Sequence, residues 1–146
     1  MALVVSRYHA EITARLERGA LAALTAAGIG AEAVEVLRVP GAFEIPLAAR
    51  KAAETGRFGA VVCLGCLIKG STPHFDVIAS AVAHGLVVAS GDTGVPMTFG
   101  VLTTNTIEEA LERTADDSSN KGWEAVAAAI EMVGLDRHLR GQADTR

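Results

Sequence analysis

Apolar residues run almost without interruption from Ala60 to Leu67, and a strand shows that pattern when helices cover both faces of its sheet. Around this run the chain alternates between two periodicities. Ala2 to Ser6 is a short apolar strand, and Glu11 to Ala27 follows with Leu16, Ala20, Leu21 and Leu24 at helical spacing before Gly28. Val34 to Val39 predicts a second strand, Pro40-Gly41 a turn, and Phe43 to Thr55 a helix closed by Gly56. After the third strand, Ala60 to Leu67, come a helix over Phe75 to Ala89 and a fourth strand over Val95 to Leu102. Thr106-Ile107-Glu108-Glu109 has the spacing of a capping box and opens a helix to about Arg113; Gly122 to Leu139 is the last helix. Strands alternating with helices in this way predict an α/β chain with a four-stranded parallel sheet between two helical layers.

Composition narrows the class. With 146 residues and 50% hydrophobic composition, the chain can build one well-cored domain, read here as residues 1–146. The formal charge is −4 and there is no block of Lys and Arg, so nucleic acid is not an expected partner. Stretches such as Ala79 to Ala89 read as too short or too interrupted to span a bilayer, and Met1 to Val5 carries no charged leader. The expectation is a cytoplasmic protein with no membrane partner.

In parallel sheets ligands bind beyond the carboxyl ends of the strands, so the residues that follow each strand belong together. These are Ser6 to His9, Gly41 to Glu44, the segment Lys69 to His74, and Thr103 to Asn105. In Ser71-Thr72-Pro73-His74, Thr72 is expected to cap a helix with Pro73 in its first position, leaving free N–H groups that suit a phosphate beside an imidazole. An aromatic ring, a carboxylate, an anion cradle and a base then share one edge.

Six segments in order carry a resemblance to lumazine synthase. They are Val4-Val5-Ser6-Arg7-Tyr8, Val39-Pro40-Gly41-Ala42-Phe43-Glu44-Ile45-Pro46, the stretch from Leu64 to Asp76, Phe99-Gly100-Val101-Leu102-Thr103, Glu109-Ala110-Leu111-Glu112-Arg113, and Asn120-Lys121-Gly122-Trp123-Glu124-Ala125. The resemblance covers nearly the whole chain. It implies a flavodoxin-like three-layer α/β/α sandwich. It also implies condensation of 5-amino-6-(D-ribitylamino)uracil with 3,4-dihydroxy-2-butanone 4-phosphate to 6,7-dimethyl-8-ribityllumazine, with no metal and no organic cofactor.

What the resemblance assigns can be set beside the chemistry of each residue. Tyr8, where the family more often has Phe or Trp, would stack on the pyrimidine; a sheet-edge core aromatic is the alternative. Glu44 and the backbone of Ala42 and Phe43 would hold the ribityl hydroxyls, although an acid in a first helical turn is also favoured by the dipole. The backbone of Cys66, Leu67 and Ile68 would read the uracil edge. Ser71 and Thr72 would bind the phosphate, with charge added by Arg113 and an approach by Lys121; Arg113 and the substrate-binding Phe99 would come from the adjacent subunit. Arginine's fork of donors suits phosphate, yet an arginine closing a helix can equally be a dipole partner. His74 would be the general acid and base; a histidine at a helix start can otherwise be a polar surface residue.

Three patterns are set aside. Cys63 and Cys66 have redox spacing, but residues three apart in a strand face opposite sides, which predicts two buried thiols. Gly65 to Ser71 lacks the order of a nucleotide-binding P-loop, and His9, His74, His84 and His138 have no metal-site spacing. Trp123 is expected to pack. The resemblance implies a homopentamer as the minimum unit, with a sixty-subunit shell open because Arg113 to Lys121 carries no long insertion. Two small-molecule substrates are the ligands and riboflavin synthase is a candidate partner. The chain reads as opening almost at once on its first strand, without the further N-terminal segment that the family usually carries, which is expected to bear on subunit pairing. Rival readings are a cage or ligand-holding relative without turnover, and another phosphate-handling α/β enzyme.

Overall fold

The computed structural model describes residues 1–143. Strands β1 (Ala2–Ser6), β2 (Glu35–Val39), β3 (Val61–Ile68) and β4 (Met97–Thr104) form one parallel sheet in the order β2-β1-β3-β4. The helices are α1 (Ala10–Ala26), α2 (Ile45–Glu54), α3 (His74–Thr93), α4 (Ile107–Glu112) and α5 (Lys121–Ala143). The expected three-layer α/β/α architecture is therefore present, and it resolves into two cores. Leu3, Val5, Val62, Leu64, Cys66 and Leu102 pack under α1, α4 and α5, whereas Ala2, Val4, Val61, Cys63 and Val101 pack under α2 and α3.

Alternation of side chains along the strands generates this division. It also places Cys63 in one core and Cys66 in the other, as their spacing requires. Both thiols are free and buried, and burial pushes Cys63 up to about 12 and Cys66 up to about 11. Trp123 packs against the first core.

Helix ends follow local chemistry. Gly28, Gly56 and Gly94 close α1, α2 and α3 with φ of 76°, 71° and 69°, values that favour glycine. Thr106 Oγ1 accepts from Glu109 N–H at 3.2 Å, while Glu109 Oε2 reaches back to Asn105 N–H at 2.9 Å. The capping box is thus real, with its return bond one residue early.

Helix α5 runs past the expected Leu139 to Ala143, and three further boundaries differ from expectation. Helix α3 runs on from Ala89 to Thr93, because Thr93 Oγ1 donates to Ala89 O at 2.7 Å and Arg50 bridges to Asp92 at 3.0 Å. At 20 residues it is long and apolar enough to cross a membrane by length and composition alone, unlike the shorter Ala79 to Ala89 stretch. Strand β4 begins at Met97 and extends to Thr104, paired with Ile68, so Thr103 and Thr104 are strand residues and not a loop. Finally, α3 starts at His74: Pro73 C=O accepts the first helical bond from Val77 N–H, and Thr72 is not the cap.

Candidate active site

At the carboxyl end of β1 the chain turns through His9, whose left-handed backbone (φ 57°, ψ 51°) directs its carbonyl at Ile12 and Thr13 N–H, each 3.0 Å away. Arg7 and Tyr8 N–H bond back to Val39 and Pro40 carbonyls, which fixes the segment to the end of β2. Tyr8 is left 67% exposed, with its ring edge-on to His9 at 4.7 Å between centroids. Tyr8 is therefore not a core aromatic.

After β2 the backbone takes one short 3-10 turn, Ala42–Glu44, before α2. Glu44 Oε2 accepts from Gly41 N–H at 3.0 Å, so its carboxylate does close the helix start, as the dipole reading predicts. Its side chain remains exposed beside Phe43, itself 62% exposed, while Ala42 is buried. At the end of β3, Leu67 and Ile68 are half-buried and Cys66 is buried, and just beyond it Lys69 N–H continues the ladder to Thr104 O at 2.8 Å. Ser71, Thr72 and His74 are exposed at the start of α3, where no side chain caps the helix. An uncapped first turn keeps its N–H groups directed at solvent, the arrangement that accepts an anion.

Phe99 and Arg113 lie elsewhere. Phe99 pairs with Cys63 on the edge strand β4, five strand residues before the Ile68 level and so roughly 16 Å back from the strand end. Arg113 closes α4 on the opposite face from α3, donating to Glu109 O at 2.8 Å. The two residues share an open groove of about 420 Å³ along β4 and α5, together with Thr98, Thr103, Lys121 and Glu124. Neither Tyr8, Glu44 nor His74 lines it. Tyr8, Phe43, Glu44 and His74 thus lie exposed after the ends of β1, β2 and β3, whereas Arg113 and Lys121 line a groove on the β4 side.

Sequence reasoning missed Thr98, whose hydroxyl is buried in that groove without a hydrogen-bond partner among the described residues. Such a group costs about 1–3 kcal/mol unless something completes it. A threonine within an apolar strand offers no local sign of this, because the groove forms only when α5 docks.

Known proteins resemble the chain over most of its length. The family model for 6,7-dimethyl-8-ribityllumazine synthase matches residues 1–137. A protein of that name from Syntrophus aciditrophicus is 53% identical over 137 residues, covering 94% of this chain and 89% of the relative. Another, from Desulfatibacillum aliphaticivorans, is 48% identical over 133 residues, covering 91% and 86% respectively. The chain belongs to the 6,7-dimethyl-8-ribityllumazine synthase family, whose members are transferases of riboflavin biosynthesis.

Proposed function

We propose that the chain condenses 5-amino-6-(D-ribitylamino)uracil with 3,4-dihydroxy-2-butanone 4-phosphate, releasing phosphate and water, in a cytoplasmic oligomer whose sites lie between adjacent subunits. The observation that carries this reading is the split of the site. Tyr8, Phe43, Glu44 and His74 lie exposed at one end of the sheet, and Phe99, Arg113 and Lys121 line a groove elsewhere. Neither half suffices for a phosphorylated and an aromatic substrate together; the groove of one copy facing the strand ends of the next would supply both.

Helix α3 supports the same reading. Only Val82, Leu86 and Ala89 are buried, while Val77, Val87 and Val88 stay exposed. A helix this apolar needs a cover, and copies of the chain arranged in a ring supply one. A pentamer with residues 1–146 of each copy as one domain is the minimum unit that fits this, with a shell of sixty copies as an open alternative.

Within the joined site, Tyr8 stacks on the pyrimidine, Glu44 and the backbone of Ala42 and Phe43 hold the ribityl hydroxyls, and the backbone of Cys66, Leu67 and Ile68 reads the heterocycle's polar edge. The phosphate rests between Ser71, Thr72, the uncapped start of α3, and the neighbour's Arg113. His74, beside that anion, moves protons as the imine forms, phosphate leaves and the ring closes. Holding both substrates together supplies much of the remaining acceleration. The reaction uses no metal or organic cofactor, and riboflavin synthase is the partner that would consume the product.

Mixing purified protein with both substrates and following lumazine absorbance tests the proposal. Saturable formation above the uncatalysed condensation is expected. Tight product binding at only the background rate would instead assign the chain to a ligand-holding or cage protein.

A further inference from the structure

Asn120 is 1% exposed, and its amide is almost fully engaged. Nδ2 donates to Arg15 O at 3.2 Å on α1 and to Ala115 O at 3.1 Å, while Oδ1 accepts from Gly122 N–H at 2.8 Å. Its backbone carbonyl also accepts the first helical bond of α5, from Glu124 N–H at 3.0 Å. Asn120 is therefore the N-cap of α5 and at the same time a tie from the preceding loop to α1.

Two glycines make room for it. A Cβ at Gly19 would lie 2.2 Å from Asn120 Cγ, and one at Gly122 would lie 2.0 Å from Leu16 O. The loop that it ties is the one joining Arg113 to Lys121. Lys121 N–H donates to Arg113 O at 2.9 Å, so the two cationic residues are fastened back to back, and both line the groove with Phe99. Inside the loop, Asp117 Oδ1 accepts from Ser119 N–H at 2.8 Å, and Asp117 O accepts from Asn120 N–H at 3.1 Å.

We infer that Asn120 is a positioning residue for anion binding: by tying the 114–120 loop to α1, it holds Arg113 and Lys121 side by side so that the groove receives a phosphate monoester. The inference rests on the reading of that groove as the phosphate half-site. Asn120 itself, buried behind the loop, makes no contact with substrate. A buried amide satisfied on three sides sets backbone geometry more rigidly than solvent-exposed loop bonds could, and bidentate recognition by arginine tolerates little displacement.

Asn120→Ser keeps an oxygen for the helix cap but removes both donors to Arg15 and Ala115. The assays are inhibition by inorganic phosphate and the separate KM values for the two substrates, on protein shown to be folded by circular dichroism. Expected is a roughly five- to tenfold rise in the phosphate inhibition constant and in KM for the phosphorylated substrate, with KM for the pyrimidine and kcat within about twofold. A purely structural role would lower Tm and leave these ratios unmoved, which would overturn the inference, as would equal weakening of both substrates.

Should Asn120→Ser fail to fold, Asp117→Ala loosens the same loop at an exposed position and is expected to raise the phosphate constant alone, by about twofold; no change there would overturn the inference as well. Arg113→Ala separates the two levels of the argument. If it leaves phosphate inhibition intact, the phosphate half-site is wrong; if it weakens phosphate while Asn120→Ser and Asp117→Ala do not, only the tie is wrong.

Discussion

Replacing Gly122 by alanine sets two effects of opposite sign against each other. Gly122 lies in the first turn of α5, where alanine's helix propensity would contribute at most about 1 kcal/mol of stability. Yet the added Cβ would sit 2.0 Å from the carbonyl oxygen of Leu16 on α1, far inside ordinary contact, and 3.0 Å from Asn120 Oδ1. The obstruction is backbone, so no rotamer change relieves it and α1 and α5 must part. Overpacking of this kind costs about 1–3 kcal/mol, and with the obstacle so close the upper part of that range applies. The net is a loss of about 2 kcal/mol, or a fall of roughly 5 °C in Tm for a chain of this length. Gly134→Ala, in the same helix with nothing within 4 Å, isolates propensity and should raise Tm by about 2 °C. Thermal unfolding of both variants by circular dichroism reads the difference. Equal or higher Tm for Gly122→Ala would refute the close approach of α1 and α5 on which the first core depends.

Further outcomes follow from the site and the buried groups. His74→Ala should lower kcat by about 10²–10⁴-fold without abolishing turnover, and a wild-type rate would remove His74 from the chemistry. Tyr8→Ala should weaken product binding while leaving Tm nearly unchanged, because the ring is mostly exposed; Tyr8→Phe should bind like the parent, and equal affinity for all three would end the stacking role. Cys63 and Cys66 should resist a thiol reagent at pH 8 until the protein unfolds. Their folded-state values, near 12 and 11, lie above the ordinary 9. The unfolded chain therefore loses these protons first, and stability, undiminished below pH 9, should decline as pH rises through 11. A Cys63→Ala, Cys66→Ala variant with the same alkaline decline would assign it to other groups. On α3, Val87→Glu should leave the chain folded but reduce the particle mass in light scattering; an unchanged mass would mean that this face is not what copies cover.

Much of the fold was legible because burial imposes periodicity. The apolar run into β3, the helical spacing of Leu16, Ala20 and Leu24, and the closing glycines each record a local constraint. Boundaries were less legible where tertiary bonds extended an element. Ser90 to Thr93 looks like a polar loop, yet side-chain bonds to Ala89, Val95 and Arg50 keep it helical. Pro96 delays β4, and pairing with β3 then carries that strand through Thr104. In the site, Tyr8, Glu44 and His74 follow their strands as the parallel sheet dictates. Phe99 and Arg113 could not be located in that way, since strand order and the face on which α4 packs are properties of the assembled sheet. Asn120 is a polar loop residue in the sequence, and its role emerges only when Gly19 and Gly122 let it lie between two helices.

The claim that two copies build each site is tested most directly by mixing two variants that are each impaired in a different half. His74→Ala retains an intact Arg113 groove and Arg113→Ala retains an intact His74 cluster. Co-assembled in equal amounts from unfolded or co-expressed chains, they pair at random around a symmetric ring, so about a quarter of the interfaces join two intact halves. Recovery of roughly that fraction of parental lumazine synthesis is expected. A mixture no more active than the variants assembled separately, although mixed oligomers form, would place His74 and Arg113 in the same subunit's site and contradict the account.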